Sequence, residues 1–277
     1  MKEHDFFEDG QFLSNRKRIL NRIRKIWATL GAIALVIFVG WSLIAYRASD
    51  TARQALIGDA QVEVVRGEYF WHFAAPTPAP TPASQPLGML FFAGSLVDPV
   101  AYAPLARTVA QAGYPVLLVE LPRRGAFGGA DGDQVMAWAR AAMQEMPTIS
   151  QWLIAGHSKG GAVAARFVNE GWPGAAGLAL VGTSHPRDFS LAHVTMPIVK
   201  ILGTRDGLSS VEKSETNRQQ LPAATRWVLI EGGNHSQFGW YGFQPGDRTA
   251  TIDREAQQAQ TLQVLLDTLH AIHSGIN

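Results

Sequence analysis

A short glycine-rich segment places a serine where it could act as a nucleophile. Residues 156–160 read Gly-His-Ser-Lys-Gly, so Ser158 stands at the centre of the pattern GxSxG. An apolar run over 151–156 precedes it and small residues over 161–169 follow it, which predicts a strand, a sharp turn and a helix. In this setting the glycines relieve crowding at a strained turn that exposes the serine hydroxyl. We therefore predict that Ser158 attacks an acyl carbonyl.

A serine hydroxyl is a weak nucleophile at neutral pH, so it needs a base and a group that orients the base. In a strand–turn–helix setting the order along the chain is serine, acid, histidine. The apolar run 198–202 leads into Asp206, and the run 227–230 leads into His235. Both residues follow the ends of predicted strands in the required order. We predict that His235 takes the proton of Ser158 and that Asp206 orients the imidazole.

Two backbone N–H groups are candidates for stabilising the negative charge on the attacked carbonyl oxygen. The first belongs to Lys159, because the residue after the nucleophile supplies one donor in this arrangement. The second lies in the loop after the predicted strand 87–93, where we choose Ser95 and keep Leu96 as the alternative. A glycine-containing turn without any ligand role is the competing interpretation of that loop.

The elements that must position these residues alternate between short apolar runs and longer amphipathic segments. Such alternation predicts an α/β fold, with a mostly parallel sheet, helices on both faces and catalytic loops at the carboxyl ends of the strands. The predicted strands are 62–65, 68–73, 87–93, 115–120, 151–156, 177–182, 197–203 and 226–231. The predicted helices are 101–112, 132–145, 161–169, 209–220 and 254–273.

A low-complexity segment lies inside this pattern. Residues 75–86 read APTPAPTPASQP, and the alternating prolines favour extended polyproline II and exclude a sheet interior. We interpret the segment as a Pro/Thr-rich loop and not as a domain boundary, because the strands on either side can pair in one sheet. The sequence therefore predicts one catalytic domain over 62–277, preceded by a spacer over 47–61.

The beginning of the chain has the composition of a membrane anchor. Residues 1–25 carry seven basic and four acidic side chains, and the run 26–46 carries no charge. A helix of that length extends about 30 Å, the thickness of the hydrocarbon core of a bilayer. The positive-inside rule then predicts a cytoplasmic segment over 1–25, a transmembrane helix over 26–46 and an extracytoplasmic catalytic domain. A cleaved signal peptide is the rival, since Ala45 and Ala48 are small, but the apolar run is longer than such peptides use.

Composition excludes several other classes of protein. The chain has 277 residues, of which 47% are hydrophobic, 17% are charged and none is Cys, which is typical of a globular protein. Its 24 basic and 23 acidic residues nearly balance, which argues against a nucleic-acid partner. The histidines show no metal-ligand spacing, so we predict neither a metal nor another cofactor. Nothing in the sequence indicates an oligomeric state.

Four blocks of sequence carry a resemblance to a known family. They are AGSLVDPVAYAPLARTVAQAGYPVLLVELP from residue 93, GHSKGG from 156, GTRDG from 203 and GGNHSQFGWYGFQPGDRTATIDREAQQ from 232. On these blocks, residues 88–258 resemble the alpha/beta hydrolase superfamily, and within it the fold-5 group related to dienelactone hydrolases. The last block is the most specific, because triad chemistry does not itself require the residues around His235, such as Gln237 and Asp247.

The resemblance implies the same triad, with Ser158 as nucleophile, Asp206 as acid and His235 as base. Two departures from the family pattern stand out. Lys159 occupies a position where Leu is common, which leaves a backbone donor unaffected. Arg123-Arg124-Gly125 replaces a more apolar loop, which could change the substrate preference.

The leading expectation is hydrolysis of carboxylic esters through an acyl-enzyme. Only residues 183–196 are available for a lid, so we expect an open site for small or medium acyl groups. Thioesterase, lactonase and acyltransferase reactions use the same triad and remain alternatives. The alternative of a different class is an inactive hydrolase-like module that binds a partner at the membrane, but it leaves the triad unexplained.

Overall fold

The computed structural model describes residues 4–75 and 86–275. The chain divides into two compact units, Met1–Ile44 and Ala45–Asn277. The interior of the predicted Pro/Thr-rich loop, residues 76–85, lies outside the described residues.

The first unit consists of one long helix, α1 (His4–Ala45). Its part Asn15–Ala45 is long and apolar enough to cross a membrane, and most of it is exposed to solvent. Large apolar side chains such as Leu30 and Val36 are at least half exposed, whereas the core helix of a water-soluble protein buries such side chains. The helix also begins well before the predicted span, because the basic residues between 16 and 25 continue the same helix.

The second unit is built on one sheet. Its strands in the described part of the chain are β1 (Glu63–Arg66), β2 (Phe70–Ala74), β3 (Leu87–Phe92), β4 (Val116–Val119), β5 (Gln151–His157), β6 (Ala175–Val181), β7 (Ile198–Gly203) and β8 (Arg226–Ile230). Their spatial order is β1-β2-β4-β3-β5-β6-β7-β8. All neighbours from β4 to β8 pair in parallel, and the β1–β2 hairpin adds antiparallel strands at one edge. The predicted α/β fold with a mostly parallel sheet is confirmed.

One pairing differs from the simplest expectation. The strands on either side of the Pro/Thr-rich loop, β2 and β3, belong to the same sheet but are not neighbours, because β4 lies between them. Strand β4 pairs in parallel with β3 and antiparallel with β2. The six parallel strands from β4 to β8 are thus contiguous in the sheet, and the β1–β2 hairpin lies at its edge.

Helices cover both faces of the sheet. After α1 they are α2 (Asp50–Gln54), α3 (Ala103–Gln111), α4 (Asp133–Gln144), α5 (Lys159–Asn169), α6 (Val211–Glu215) and α7 (Arg254–Ser274). Side chains of β3 alternate between the two faces, so that Met89 and Phe91 pack in the cluster that includes α3 and α7, and Phe92 packs in the cluster that includes α4 and α5. Both clusters are buried, which explains why the central strands are apolar throughout.

Two segments differ in detail from the sequence-based prediction. The predicted helix 209–220 is α6 followed by a 3₁₀ turn, and between them Asn217 donates its side-chain amide to the carbonyl of Ser184. The segment 47–61, predicted as a spacer, contains α2 and belongs to the second unit, with Ala52 fully buried. Burial of that alanine means that the segment is part of the folded domain.

Candidate active site

Ser158 occupies a strained turn between β5 and α5. Its backbone angles are φ 55° and ψ −120°, a region that residues with a side chain rarely adopt. The turn is tight, since a Cβ at Gly160 would overlap the carbonyl oxygen of Phe92 and one at Gly156 would overlap that of Gly160. Both glycines of the GxSxG pattern are thus required by close backbone approach, as a turn that presents a serine demands.

Asp206 and His235 meet at the carboxyl ends of the neighbouring strands β7 and β8. The Nδ1 atom of His235 lies 2.7 Å from Oδ2 of Asp206, and both side chains are buried. The other oxygen of Asp206 accepts the backbone N–H groups of Leu208 at 2.8 Å and Ser209 at 2.6 Å. A carboxylate can only accept hydrogen bonds, so Nδ1 of His235 carries the shared proton. The Nε2 atom of His235 is therefore unprotonated in the neutral ring.

Nε2 of His235 is also buried without a hydrogen-bond partner among the described residues. The ring of His235 lies 4.5 Å, centroid to centroid, from the ring of His157, which directly precedes Ser158. The loop that carries the histidine and the turn that carries the serine are therefore adjacent.

Asp247 links the loops that carry the acid and the base. Its carboxylate accepts the backbone N–H groups of Gly207 at 3.1 Å, His235 at 3.2 Å and Ser236 at 2.8 Å. It also accepts the hydroxyl of Ser236 at 2.7 Å. One side chain thus sets the spacing between the segment after Asp206 and the segment that contains His235.

The start of α7 holds the same histidine loop from the other side. The buried amide of Gln257 accepts the N–H of Asn234 at 2.9 Å and donates to the carbonyl of Asn234 at 2.7 Å. The guanidinium of Arg254 donates to the carbonyls of Ser236, at 3.1 Å, and Gly239. Reasoning from the sequence assigned no role to Asp247, Gln257 or Arg254. The signal that could have found them is the long block after His235, which contains more polar residues than a triad needs.

His157 belongs to a second buried network beside the serine. The hydroxyl of Tyr102 accepts the N–H of Gly94 at 3.1 Å and lies 2.7 Å from Nδ1 of His157. Burial raises the pKa of Tyr102, so the hydroxyl keeps its proton and donates it to Nδ1. Burial and the neighbouring His235 hold the pKa of His157 well below its usual value, so His157 is neutral. Tyr102 thereby joins the end of β3 to the turn at Ser158.

The two predicted oxyanion donors lie at the start of α5 and in the loop after β3. Lys159 is the first residue of α5. The N–H groups in the first turn of a helix have no acceptor within that helix, and the N–H of Lys159 is one of them. In the loop after β3, the N–H of Leu96 donates to the carbonyl of Arg124 at 2.6 Å, so it is already engaged. Because that N–H is engaged, Ser95 is the better candidate than Leu96 for the second oxyanion donor.

The Arg123-Arg124-Gly125 segment packs against Ser95. Arg123, Arg124 and Gly125 all have positive φ angles, and a Cβ at Gly125 would lie 3.0 Å from the hydroxyl oxygen of Ser95. The same loop reaches Asp131, whose carboxylate lies 2.5 Å from the ammonium of Lys159. This departure from the family pattern therefore lies beside Ser95, and the segment that follows it contacts the side chain of Lys159.

One cavity of the second unit lies at the other end of the strands. The cavity of about 410 Å³ lined by Ile198, Arg226 and Thr268 lies at the amino ends of β7 and β8, at the opposite edge of the sheet from His235. Among residues 4–75 and 86–275, no group of three or more His, Asp or Glu side chains is arranged to hold a metal ion.

A sequence model of the alpha/beta hydrolase family matches residues 88–259, more than half of the chain. The chain belongs to the alpha/beta hydrolase family. The matched region contains Ser158, Asp206 and His235, together with the loop after β3. Among curated proteins, none matches this hydrolase significantly.

Several solved structures share the fold of this hydrolase. A thermophilic esterase from Thermogutta terrifontis is 15% identical with a TM-score of 0.52, and the match covers 77% of this chain and 100% of the esterase. A ferulic acid esterase from Streptomyces cinnamoneus is 19% identical with a TM-score of 0.52, covering 71% and 69%. A dienelactone hydrolase-like promiscuous phosphotriesterase from metagenomic libraries is 16% identical with a TM-score of 0.53, covering 75% and 96%. At these identities the similarity shows the fold alone.

Proposed function

We propose that this hydrolase is a membrane-anchored esterase that cleaves carboxylic esters of small or medium acyl groups with a Ser158–His235–Asp206 triad. The observation that carries the proposal is the buried 2.7 Å hydrogen bond between His235 and Asp206, with Nε2 of His235 left without a partner. A histidine held in this tautomer beside a strained serine is the arrangement that general-base catalysis of acyl transfer needs.

The reaction follows from the donor and acceptor roles of these atoms. Nε2 of His235 takes the hydroxyl proton of Ser158 while Oγ attacks the acyl carbon, and Asp206 stabilises the imidazolium that forms. His235 then gives the proton to the departing alcohol, which leaves an acyl group on Ser158. A water molecule, deprotonated by His235, attacks the acyl carbon and releases the acid. Thioesters and lactones would follow the same steps, with a thiol or a tethered alcohol leaving.

The negative oxygen of each tetrahedral intermediate needs two donors. We assign these donors to the backbone N–H groups of Lys159 and Ser95. Support comes from the position of Lys159 at the start of α5 and from the engagement of Leu96 with Arg124. Since both assigned donors belong to the backbone, substitutions of the Lys159 side chain leave the donor in place.

The proposed anchor is α1, with the catalytic domain on the extracytoplasmic side. Tyr46 is 1% exposed and Ala48 is 2% exposed within the second unit. Cleavage after Ala48 would detach a fully buried ring from the domain, which supports an uncleaved anchor over a removed signal peptide. The charge of residues 1–25 supports a cytoplasmic amino terminus.

The test is covalent labelling of the full chain in detergent with a fluorophosphonate, which phosphonylates activated serines. We expect an adduct on Ser158, mapped by mass spectrometry, that disappears in Ser158→Ala and in His235→Ala. Hydrolysis of p-nitrophenyl butyrate is expected to fall by a factor on the order of 10⁴ or more in each variant. A well-folded wild-type protein that neither labels nor hydrolyses the ester would overturn the proposal and support the inactive-module alternative.

A further inference from the structure

The residues that directly follow α1 form part of the edge of the domain that carries the candidate active site. The carbonyl of Tyr46 accepts the N–H of Asp98 at 3.0 Å, and the N–H of Ser49 donates to the carbonyl of Trp240 at 2.8 Å. The ring of Tyr46 packs edge-on against that of Tyr241, with centroids 5.9 Å apart. The segment is therefore fixed in the domain and is not a free tether.

These contacts are made with the two loops that hold the catalytic groups. Asp98 follows Ser95 by three residues, which span at most about 11 Å when extended, so the carbonyl of Tyr46 lies within about 15 Å of the proposed oxyanion donor. Trp240 lies in the loop that begins at His235, and this loop turns back where the N–H of Gln244 donates to the hydroxyl of Ser236 at 3.0 Å. The chain therefore enters the domain beside the oxyanion loop and the histidine loop.

The same edge exposes large aromatic side chains. Phe243 is 53% exposed, and its neighbour Gly242 packs so closely against the entering chain that a Cβ there would lie 2.6 Å from the carbonyl oxygen of Ala45. Phe127 is 65% exposed on the loop whose Arg124 binds Leu96. Exposed aromatic rings on loops that surround a site are suited to the boundary between lipid headgroups and acyl chains.

We propose that this edge of the domain is held at the bilayer surface, and that the substrates are esters carried by membrane lipids and not esters dissolved in water. This inference rests on the proposed esterase function and on residues 26–46 as the membrane span. The predicted span ends at Tyr46, which packs against Asp98 and Tyr241, so the last residue of the predicted span is already part of the catalytic domain. A substrate confined to the same membrane then meets the site at a high effective concentration.

Two probes with the same acyl group and the same leaving oxygen separate a membrane substrate from a dissolved one. The dissolved probe is 4-methylumbelliferyl butyrate. The membrane probe is the butyrate ester of 4-heptadecylumbelliferone, whose tail keeps it in the bilayer. The full chain is reconstituted in vesicles of non-hydrolysable dialkyl ether phosphatidylcholine, and the membrane probe is placed either in the same vesicles or in separate ones. We expect at least tenfold faster cleavage when enzyme and probe share a vesicle.

A linker variant tests whether the fixed geometry at Tyr46 matters. Twenty Gly/Ser residues inserted between Ala45 and Tyr46 leave Tyr46 and Ser49 in place but allow the domain to move over about 25 Å from the anchor. We expect cleavage of the membrane probe in the same vesicle to fall at least fivefold, while cleavage of the dissolved probe is unchanged. The matched control carries the same twenty residues after Asn277 and is expected to behave as the wild type.

The outcomes separate this inference from the proposed function. If the wild type cleaves the dissolved probe but cleaves the membrane probe equally well in shared and separate vesicles, the lipid-ester inference is wrong and the esterase proposal stands. If the linker variant retains the full rate on the membrane probe, the fixed edge is not needed and the inference is also wrong. If the wild type cleaves neither probe, the proposed function fails and the inference fails with it.

Discussion

The carboxylate of Asp247 accepts the backbone N–H of His235 at 3.2 Å, twelve residues earlier in the chain. Through the same oxygen, Asp247 binds the N–H of Gly207 at 3.1 Å, directly after Asp206. The loop that carries the acid and the loop that carries the base are thus tied to one charged group. We therefore predict that the 2.7 Å distance between Asp206 and His235 depends on Asp247.

Replacement of Asp247 by Asn tests this dependence. The amide keeps the size of the carboxylate but removes its charge and one of its acceptor oxygens, so part of the set of N–H donors is left unpaired. We expect kcat for p-nitrophenyl butyrate to fall at least about tenfold with little change in KM, and the free energy of unfolding to fall by about 2 kcal/mol. Asp267→Asn is the control, because Asp267 is a half-exposed residue of α7 whose carboxylate contacts Arg226 and Gln263 and neither of these two loops. Full activity in Asp247→Asn would contradict the positioning role.

The hydroxyl of Tyr102 is predicted to support the turn at Ser158. In Tyr102→Phe the N–H of Gly94 and Nδ1 of His157 both lose a buried partner. We expect the free energy of unfolding, measured by urea denaturation in detergent, to fall by about 1–3 kcal/mol, together with a loss of kcat. Tyr69→Phe removes a hydroxyl that contacts Glu68 at the surface and should change neither quantity measurably. A stable and fully active Tyr102→Phe protein would be the opposite result.

The stability of the protein should fall in mild acid because of His157. Its pKa is held well below the usual value, whereas in the unfolded chain it titrates near 6.5. Below that pH the unfolded state binds a proton that the folded state does not, so the free energy of unfolding falls as the pH is lowered, by at most about 1.4 kcal/mol per pH unit for this group. Denaturation at pH 7.5, 6.5 and 5.5 measures the slope. His157→Gln should reduce the dependence of the free energy of unfolding on pH. The control is His193→Gln at an exposed histidine, which should behave as the wild type. An unchanged pH dependence in His157→Gln would show that His157 is not its source.

Gly160 is predicted to tolerate no side chain. A Cβ at this position would overlap the carbonyl oxygens of Phe92 and Ala93, which are backbone atoms and cannot move aside as a flexible side chain can. We expect Gly160→Ala to lower the free energy of unfolding by about 3 kcal/mol and to abolish labelling of Ser158 by a fluorophosphonate. Gly132→Ala is the control, since a Cβ at Gly132 meets no atom within 4 Å. Normal labelling of Gly160→Ala would show that the turn is less constrained than its contacts indicate.

Strong local signals made the strands and the loop residues predictable. Each strand was predicted within about two residues because buried parallel strands are short apolar runs between turn residues. Ser158 was recognisable because GxSxG combines a chemical group with the glycines that its turn requires. Asp206 and His235 were recognisable because parallel strands bring their following loops to one edge of the sheet.

Contacts between distant parts of the chain were not predictable in the same way. Nothing local indicates that Asp247 binds Gly207, or that the amide of Gln257 closes on Asn234. The placement of β4 between β2 and β3 also depends on competition among pairings that a single sequence does not rank. Tyr46 looked like the end of an apolar run, and only its packing against Tyr241 shows that the domain already includes it.

The positive φ of Ser158 means that selection for a stable fold and selection for a serine hydroxyl favour different residues at this position. Glycine adopts φ 55° and ψ −120° with less strain than serine, so a chain selected for stability alone would favour glycine at this position. Serine holds its hydroxyl out of the turn at a cost to the fold of about 1–3 kcal/mol. A protein whose only task was to bind a partner at the membrane would gain nothing from that cost, so the strain itself is an argument for a working nucleophile.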